Sequence, residues 1–268
     1  LHWNVDPVLV AFGPFAIRWY GVLFAAAFLV GYAIMVRIYR AEGRPVESLD
    51  RLFAFMLVGA ILGARLGHVL FYDPDYYVRH PLDILKVWEG GLASHGGAAG
   101  IFLALFLATR AAGPPYLWLL DRVAIPTALG GAFIRLGNFF NSEILGTPTS
   151  GGWGVVFERV DAVPRHPVQL YEALAYLLVF ALLLAVYRLH LKAGRDGLLL
   201  GLFLAAVFAA RFLLEFVKTP QASYEADFAL SVGQLLSLPF VLAGILLVAR
   251  ALRAAPGQAG AGPGARHR

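Results

Sequence analysis

Seven apolar runs of about 20 residues each leave this chain few ways to fold. They cover about 20–36, 52–71, 91–109, 116–137, 168–187, 197–217 and 229–249. A run of that length crosses the roughly 30 Å hydrocarbon core of a bilayer as a helix, which satisfies every backbone N–H and C=O within the segment. Composition agrees, with 59% hydrophobic and 15% charged residues and a mean hydropathy of +0.70. An ordinary soluble domain carries about 25% charged residues. The chain reads as an all-α integral membrane protein of about seven transmembrane helices. Residues 1–253 form a single transmembrane domain in this reading. The tail over 254–268 is Gly, Ala, Pro and Arg, has little to bury, and is read as a disordered cytoplasmic tail.

Cytoplasmic loops are enriched in Lys and Arg, which orients the spans. Arg37, Arg40, Arg44, Arg51, Arg110, Arg122, Arg188, Lys192, Arg195, Arg250, Arg253, Arg266 and Arg268 fall on one side. Only Arg18, Arg79, Lys86, Arg159, Arg165 and Lys218 fall on the other. The N-terminus is therefore expected outside and the C-terminus inside, with the long outer segments 72–90 and 138–167 forming a cap. The net charge of +5 does not point to nucleic acid, because the basic residues lie between apolar runs instead of on one soluble face. With no cysteine, the chain has no disulfide frame, thiolate metal site or cysteine nucleophile of its own. Thiol chemistry would need a thiol carried by the substrate.

Three arginines stand inside the apolar runs: Arg65, Arg135 and Arg211. Each costs about 2.5–3.5 kcal/mol near the bilayer centre unless it meets a partner or a wet cavity. At 1.5 Å per residue all three lie about 20 Å from the cytoplasmic edge, in the outer half of the core. Tyr20 opens the first run, His95 lies just inside the third and His166 just precedes the fifth, so they are expected at that same level. Arg135 and Asn138 are three apart and Arg211 and Glu215 four apart, so each pair shares a helix face. Arginines at headgroup depth beside amides suit a phosphate, because the planar guanidinium fork matches phosphate oxygens. The expected ligand is an outer-leaflet phospholipid. Arg65, nearly one turn before His68, reads equally well as a residue snorkelling to the headgroups.

His95 lies within Gly90-Gly91-Leu92-Ala93-Ser94-His95-Gly96-Gly97-Ala98-Ala99-Gly100, where small residues let a helix or a lipid approach closely. Adjacent residues on a helix point apart, and no GxSxG turn is present, so Ser94 beside His95 does not suggest a serine hydrolase. No HExxH or Cys/His cluster suggests a metal site. An anionic lipid or solute transporter or flippase is the main alternative. It would need polar residues at both depths, whereas the inner halves of these runs are almost purely aliphatic.

Six motifs in order resemble the prolipoprotein diacylglyceryl transferase family, over Tyr20 to Gln234. They are Ile17-Arg18-Trp19-Tyr20-Gly21, Ser94-His95-Gly96-Gly97, the run from Arg135 to Gly146, His166-Pro167-Val168-Gln169-Leu170-Tyr171-Glu172, Arg211-Phe212-Leu213-Leu214-Glu215-Phe216 and Ser231-Val232-Gly233-Gln234. Within the third, Ser142 stands where glycine is common, Ile144-Leu145 where an aromatic often precedes the glycine, and Thr147 where arginine is frequent. The resemblance implies a multi-pass enzyme of the bacterial cytoplasmic (inner) membrane with its active site toward the outer leaflet. The implied reaction moves the diacylglyceryl group of phosphatidylglycerol to the lipobox cysteine of a prolipoprotein signal peptide. It forms a thioether and releases glycerol phosphate, with no cofactor. For that reaction Arg135 and Arg211 are expected to stabilise the departing phosphate, and His95 is the candidate base, with the arginines' field as the alternative. These three are the catalytic candidates. Tyr20, Asn138, Glu143 and Gly146 would shape the substrate site, and Glu215 would hold Arg211.

Overall fold

The computed structural model describes residues 1–13, 15–87, 90–91, 93–112, 114–190, 195–219 and 230–253. Lys192 and the 254–268 tail lie outside the described residues. Long helices dominate: α1 Trp19–Ala41, α2 Glu47–Phe71, α4 Ser94–Ala112, α5 Tyr116–Phe140, α6 Val168–His190, α7 Leu198–Leu214 and α8 Val232–Arg253, with a short α3 at Pro74–Arg79. Six of them, all but α3 and α4, are long and apolar enough to cross a membrane by length and composition. The span expected at 91–109 corresponds to α4, a helix of 19 residues. The helical membrane class therefore stands. Short strands were not expected and do occur: β1 His2–Trp3, β2 Val8–Phe12, β3 Phe15–Arg18, β4 Val155–Phe157 and β5 Pro164–Arg165.

The chain divides into two compact units, Met35–Leu119 and the remainder, Leu1–Ile34 with Leu120–Arg268. In Met35–Leu119, α2 and α4 pack closely because Gly59, Gly63 and Gly67 recur every four residues and meet Gly96 and Gly100 of α4. A Cβ on Gly63 would stand 2.8 Å from the Gly100 Cα. In lipid, where apolar surface alone does not drive helices together, such close backbone approach supplies the packing. Arg65 of α2 is only 4% exposed. Its guanidinium donates to the carbonyls of Ile84 at 2.9 Å, Gly90 at 2.7 Å, Gly91 at 3.1 Å and Asp83. Tyr77 lies against it, 5.0 Å from ring centroid to guanidinium carbon. Arg65 thus clamps Asp83, Ile84, Gly90 and Gly91 by their carbonyls and does not snorkel.

In the larger unit α7 packs against both α6 and α8. Asp121, near the start of α5 and 1% exposed, accepts the backbone N–H groups of Gly197 at 2.7 Å and Leu200 at 2.8 Å. It caps α7 from another helix, supplying acceptors that the first turn cannot find within itself. α8 opens on a reciprocal cap: Gln234 N–H donates to Ser231 Oγ at 3.1 Å, and Ser231 N–H donates to Gln234 Oε1 at 3.0 Å. Outside the helices, β4 pairs in parallel with β1 (His2 opposite Val156) and antiparallel with β5 (Val155 opposite Arg165). This small sheet buries Val155 and Phe157 against Phe139, Trp3, Leu145 and Leu170, fastening the 141–167 segment over the end of α5. β2 and β3 form a separate antiparallel hairpin just before α1.

Candidate active site

The site grows from the last turn of α5. Arg135 Nη1 donates to Asn138 Oδ1 at 3.1 Å, as expected for residues three apart on one helix face. Asn138 in turn donates through Nδ2 to Glu143 Oε1 at 2.7 Å. Beyond the helix the chain turns sharply, with Ser142 at φ 55° and Ile144 at φ 58°. Left-handed backbone at two side-chain-bearing residues costs roughly 1–2 kcal/mol each, and it aims Glu143 back at the helix end. Asn141 Nδ2 also reaches Glu143 Oε1, at 3.2 Å, and Gln169 Nε2 donates to the Glu143 carbonyl at 2.6 Å. Glu143 is therefore held by its carboxylate and by its backbone.

Two close approaches complete this corner. The Tyr20 ring lies on Gly137, with Cδ2 2.7 Å from where a Cβ would stand. At Gly146 a Cβ would collide with the His166 carbonyl and come within 2.6 Å of Val168 Cγ2, so only glycine lets the start of α6 lie there. The loop leading to His166 is braced by Arg165, whose Nη2 meets Asp161 Oδ2 at 2.6 Å. That hydrogen bond holds the Asp161 carboxyl below the usual carboxylate range.

Behind Arg135 lies a second charged layer. Glu172 of α6 is fully buried, and its Oε2 stands 2.8 Å from Arg135 Nε. Its other oxygen, Oε1, accepts from Lys218 Nζ at 3.2 Å. Lys218 also donates to Glu215 Oε2 at 3.1 Å. Glu215 is thus engaged by Lys218, three residues on, where the i, i+4 spacing suggested Arg211. The reason is local: α7 ends at Leu214 and the chain tightens into a 3-10 turn over Glu215–Val217, where residues three apart eclipse. Arg211 stays in the neighbourhood, since Tyr176 of α6 interacts electrostatically with both Arg135 and Arg211.

A model of the prolipoprotein diacylglyceryl transferase family matches residues 7–250. The chain belongs to this family. It is 60% identical to the phosphatidylglycerol–prolipoprotein diacylglyceryl transferase of Tolumonas auensis, over 92% of this chain and 96% of the relative. The enzymes of the same name from Chloroherpeton thalassium and Porphyromonas gingivalis are 49% and 45% identical, over 95% and 94% of this chain and 96% and 95% of theirs. The chain is accordingly a membrane-embedded transferase.

Seven of the residues singled out from the sequence of this transferase family member, Tyr20, Arg135, Asn138, Glu143, Gly146, Arg211 and Glu215, fall in the larger unit. His95 falls in the smaller one, on the first turn of α4, where it is exposed. Its neighbours Ala93, Gly96 and Gly97 face α2, so the small residues around His95 serve helix packing and leave the imidazole on another side. Glu172, Lys218 and Gln169 were not among the expected site residues, although Gln169 and Glu172 fall within the fourth motif. Glu172 and Lys218 build the charged layer behind Arg135, and Gln169 holds the Glu143 backbone. A signal existed: a carboxylate inside an otherwise apolar run needs a cation as surely as a buried arginine needs an anion. Among the described residues no group of three or more His, Asp or Glu side chains converges to hold a metal ion.

Proposed function

We propose that this enzyme moves the diacylglyceryl group of phosphatidylglycerol to the thiol of the lipobox cysteine in a prolipoprotein signal peptide, at the outer leaflet of the bacterial cytoplasmic membrane. This is the first step of lipoprotein maturation. The sulfur forms a bond to the glycerol carbon while the bond from that carbon to the phosphate oxygen breaks. The electron pair leaves with glycerol phosphate, and the thiol proton is taken up by a base. The observation that carries the reading is Arg135, a guanidinium fixed between Glu172 at 2.8 Å and Asn138 at 3.1 Å at the end of a transmembrane helix.

An arginine so held meets the charge that grows on the departing phosphate without having to reorganise, which is where electrostatic catalysis is strongest. Arg211 is assigned the same task. A cysteine with a pKa of about 8.5 is mostly protonated at neutral pH, so a base or a cationic field must favour the thiolate. His95 is proposed as that base. Tyr20, Asn138, Glu143 and Gly146 shape the lipid site. The N-terminus is assigned to the outside and the C-terminus to the cytoplasm by the distribution of Lys and Arg, with the 72–90 and 138–167 segments on the outer side.

The test is direct: incubate the purified protein with phosphatidylglycerol and a lipobox peptide, then weigh the peptide by mass spectrometry. A diacylglyceryl mass gain on the cysteine is expected. A peptide of unchanged mass, or gain on a Cys→Ser peptide, would refute the assigned reaction.

A further inference from the structure

We propose that Glu172 is a positioning residue for this reaction, pairing with Arg135 at Nε so that, with Asn138 on Nη1, the rest of the guanidinium is presented in one orientation. The inference rests on the transferase reading above. Glu172 has no exposed surface and lies inside the apolar helix α6. A carboxylate there is tolerated only when cations meet it. It meets two, with a separate oxygen for each: Oε2 for Arg135 at 2.8 Å and Oε1 for Lys218 at 3.2 Å.

Both cations are anchored to the loop that carries the site. Arg135 is tied through Asn138 to Glu143. The Lys218 backbone bridges to Gly146, Thr147 N–H donates to the Val217 carbonyl at 2.9 Å, and Thr219 N–H donates to the Leu145 carbonyl at 3.0 Å. One buried carboxylate therefore joins the end of α5 to the segment after α7, across the strand-like contact that fixes Gly146.

Guanidinium is a planar, rigid fork, so the ion pair at Nε together with the Nη1 hydrogen bond to Asn138 sets the direction of the remaining donors. Arg135, Lys218, Glu172 and Glu215 also carry two positive and two negative charges, so their attraction for a phosphate is already offset. What Glu172 adds for an anionic lipid is direction, not affinity. Replacing it with glutamine leaves one uncompensated positive charge, which keeps or tightens ground-state binding of the lipid while Arg135 loses its alignment.

The measurement is kcat and KM for phosphatidylglycerol in mixed micelles for wild type, Glu172→Gln and Glu172→Asp, each corrected for the folded fraction found by thermal unfolding. For Glu172→Gln, kcat should fall about 100-fold, the scale of a misplaced reacting group, with KM unchanged or lower. Glu172→Asp keeps the charge but is one methylene too short to reach both cations, so its kcat should also stay low. If Glu172→Asp restores kcat to within about threefold, the role is charge compensation and the positioning proposal fails. It fails equally if the loss only tracks the folded fraction, if KM rises at constant kcat, or if neither variant folds. A wild type that transfers no diacylglyceryl group overturns the reaction itself, and is told apart from these outcomes by the wild-type arm alone.

Discussion

At the scale of single residues, the site depends on the shape of its charges as much as on their sign. Arg135 forms an ion pair with Glu172 at Nε and donates to Asn138 through Nη1, two contacts at separate atoms of a rigid fork that a single ammonium cannot reproduce. Arg135→Lys and Arg211→Lys should each lower the rate at saturating phosphatidylglycerol by about 2–4 kcal/mol, roughly 30-fold to 1000-fold, on the scale of losing an oxyanion donor. Rates within about threefold of wild type in well-folded variants would reduce the arginines to a general positive field. Ser142 makes the opposite kind of prediction. Its backbone is left-handed at φ 55° and its Oγ is buried without a partner among the described residues. Ser142→Gly removes both penalties and should stabilise the protein by about 1 kcal/mol, read as a higher thermal midpoint in detergent with transfer activity retained.

At the scale of elements, helices in this protein finish one another. The first turn of α7 is completed by Asp121, 76 residues away from Gly197 in the chain, and Gly197 itself adopts φ 96° to let the helix begin there. The same aspartate sits at the end of α5 remote from Arg135, about 21 Å along the helix at 1.5 Å per residue. Its loss should therefore act on stability and not on chemistry. Asp121→Ala leaves two donors of the α7 terminus without their acceptor and should cost about 1–3 kcal/mol, with transfer per folded molecule unchanged. A large activity loss at full stability would mean that the α7 start is coupled to the reaction centre. Arg122 beside Asp121 pairs with it and with Asp196, so these charges serve the junction of α5 with the start of α7.

At the scale of the whole molecule, the proposed orientation and the proposed base can be tested without reference to packing. A reporter fused after Arg253 should be active only in the cytoplasm, and one inserted near Ser150 only outside the membrane. The reverse pattern would move the loop that carries Glu143 and Gly146 to the wrong leaflet. His95 lies in the smaller unit, on the exposed side of the first turn of α4. His95→Gln should insert and fold normally yet lose most transfer to a thiol peptide. Near-normal rates across the pH range would assign the thiol proton to another group.

Much of this protein was legible in its linear order, because the bilayer imposes a length on each apolar run and a backbone rule on each crossing. That is why α1, α2, α5, α6, α7 and α8 fall where the runs predict them, and why Arg135 and Asn138, three apart within one helix, meet as their spacing requires. The motifs likewise located Tyr20, Asn138, Glu143 and Gly146, all of which gather at the end of α5. Spacing misleads where a helix stops: α7 ends at Leu214, so Glu215 turns to Lys218 and the four-residue spacing to Arg211 no longer sets its partner. Partners far apart in sequence were beyond reach of any local pattern. Arg65 is satisfied by carbonyls 18 to 26 residues downstream, and Lys218 meets Glu172 across 46 residues. A buried charge announces that it needs a partner, but only the packed helices choose which one, since that choice depends on which side chains reach the same enclosed point in space.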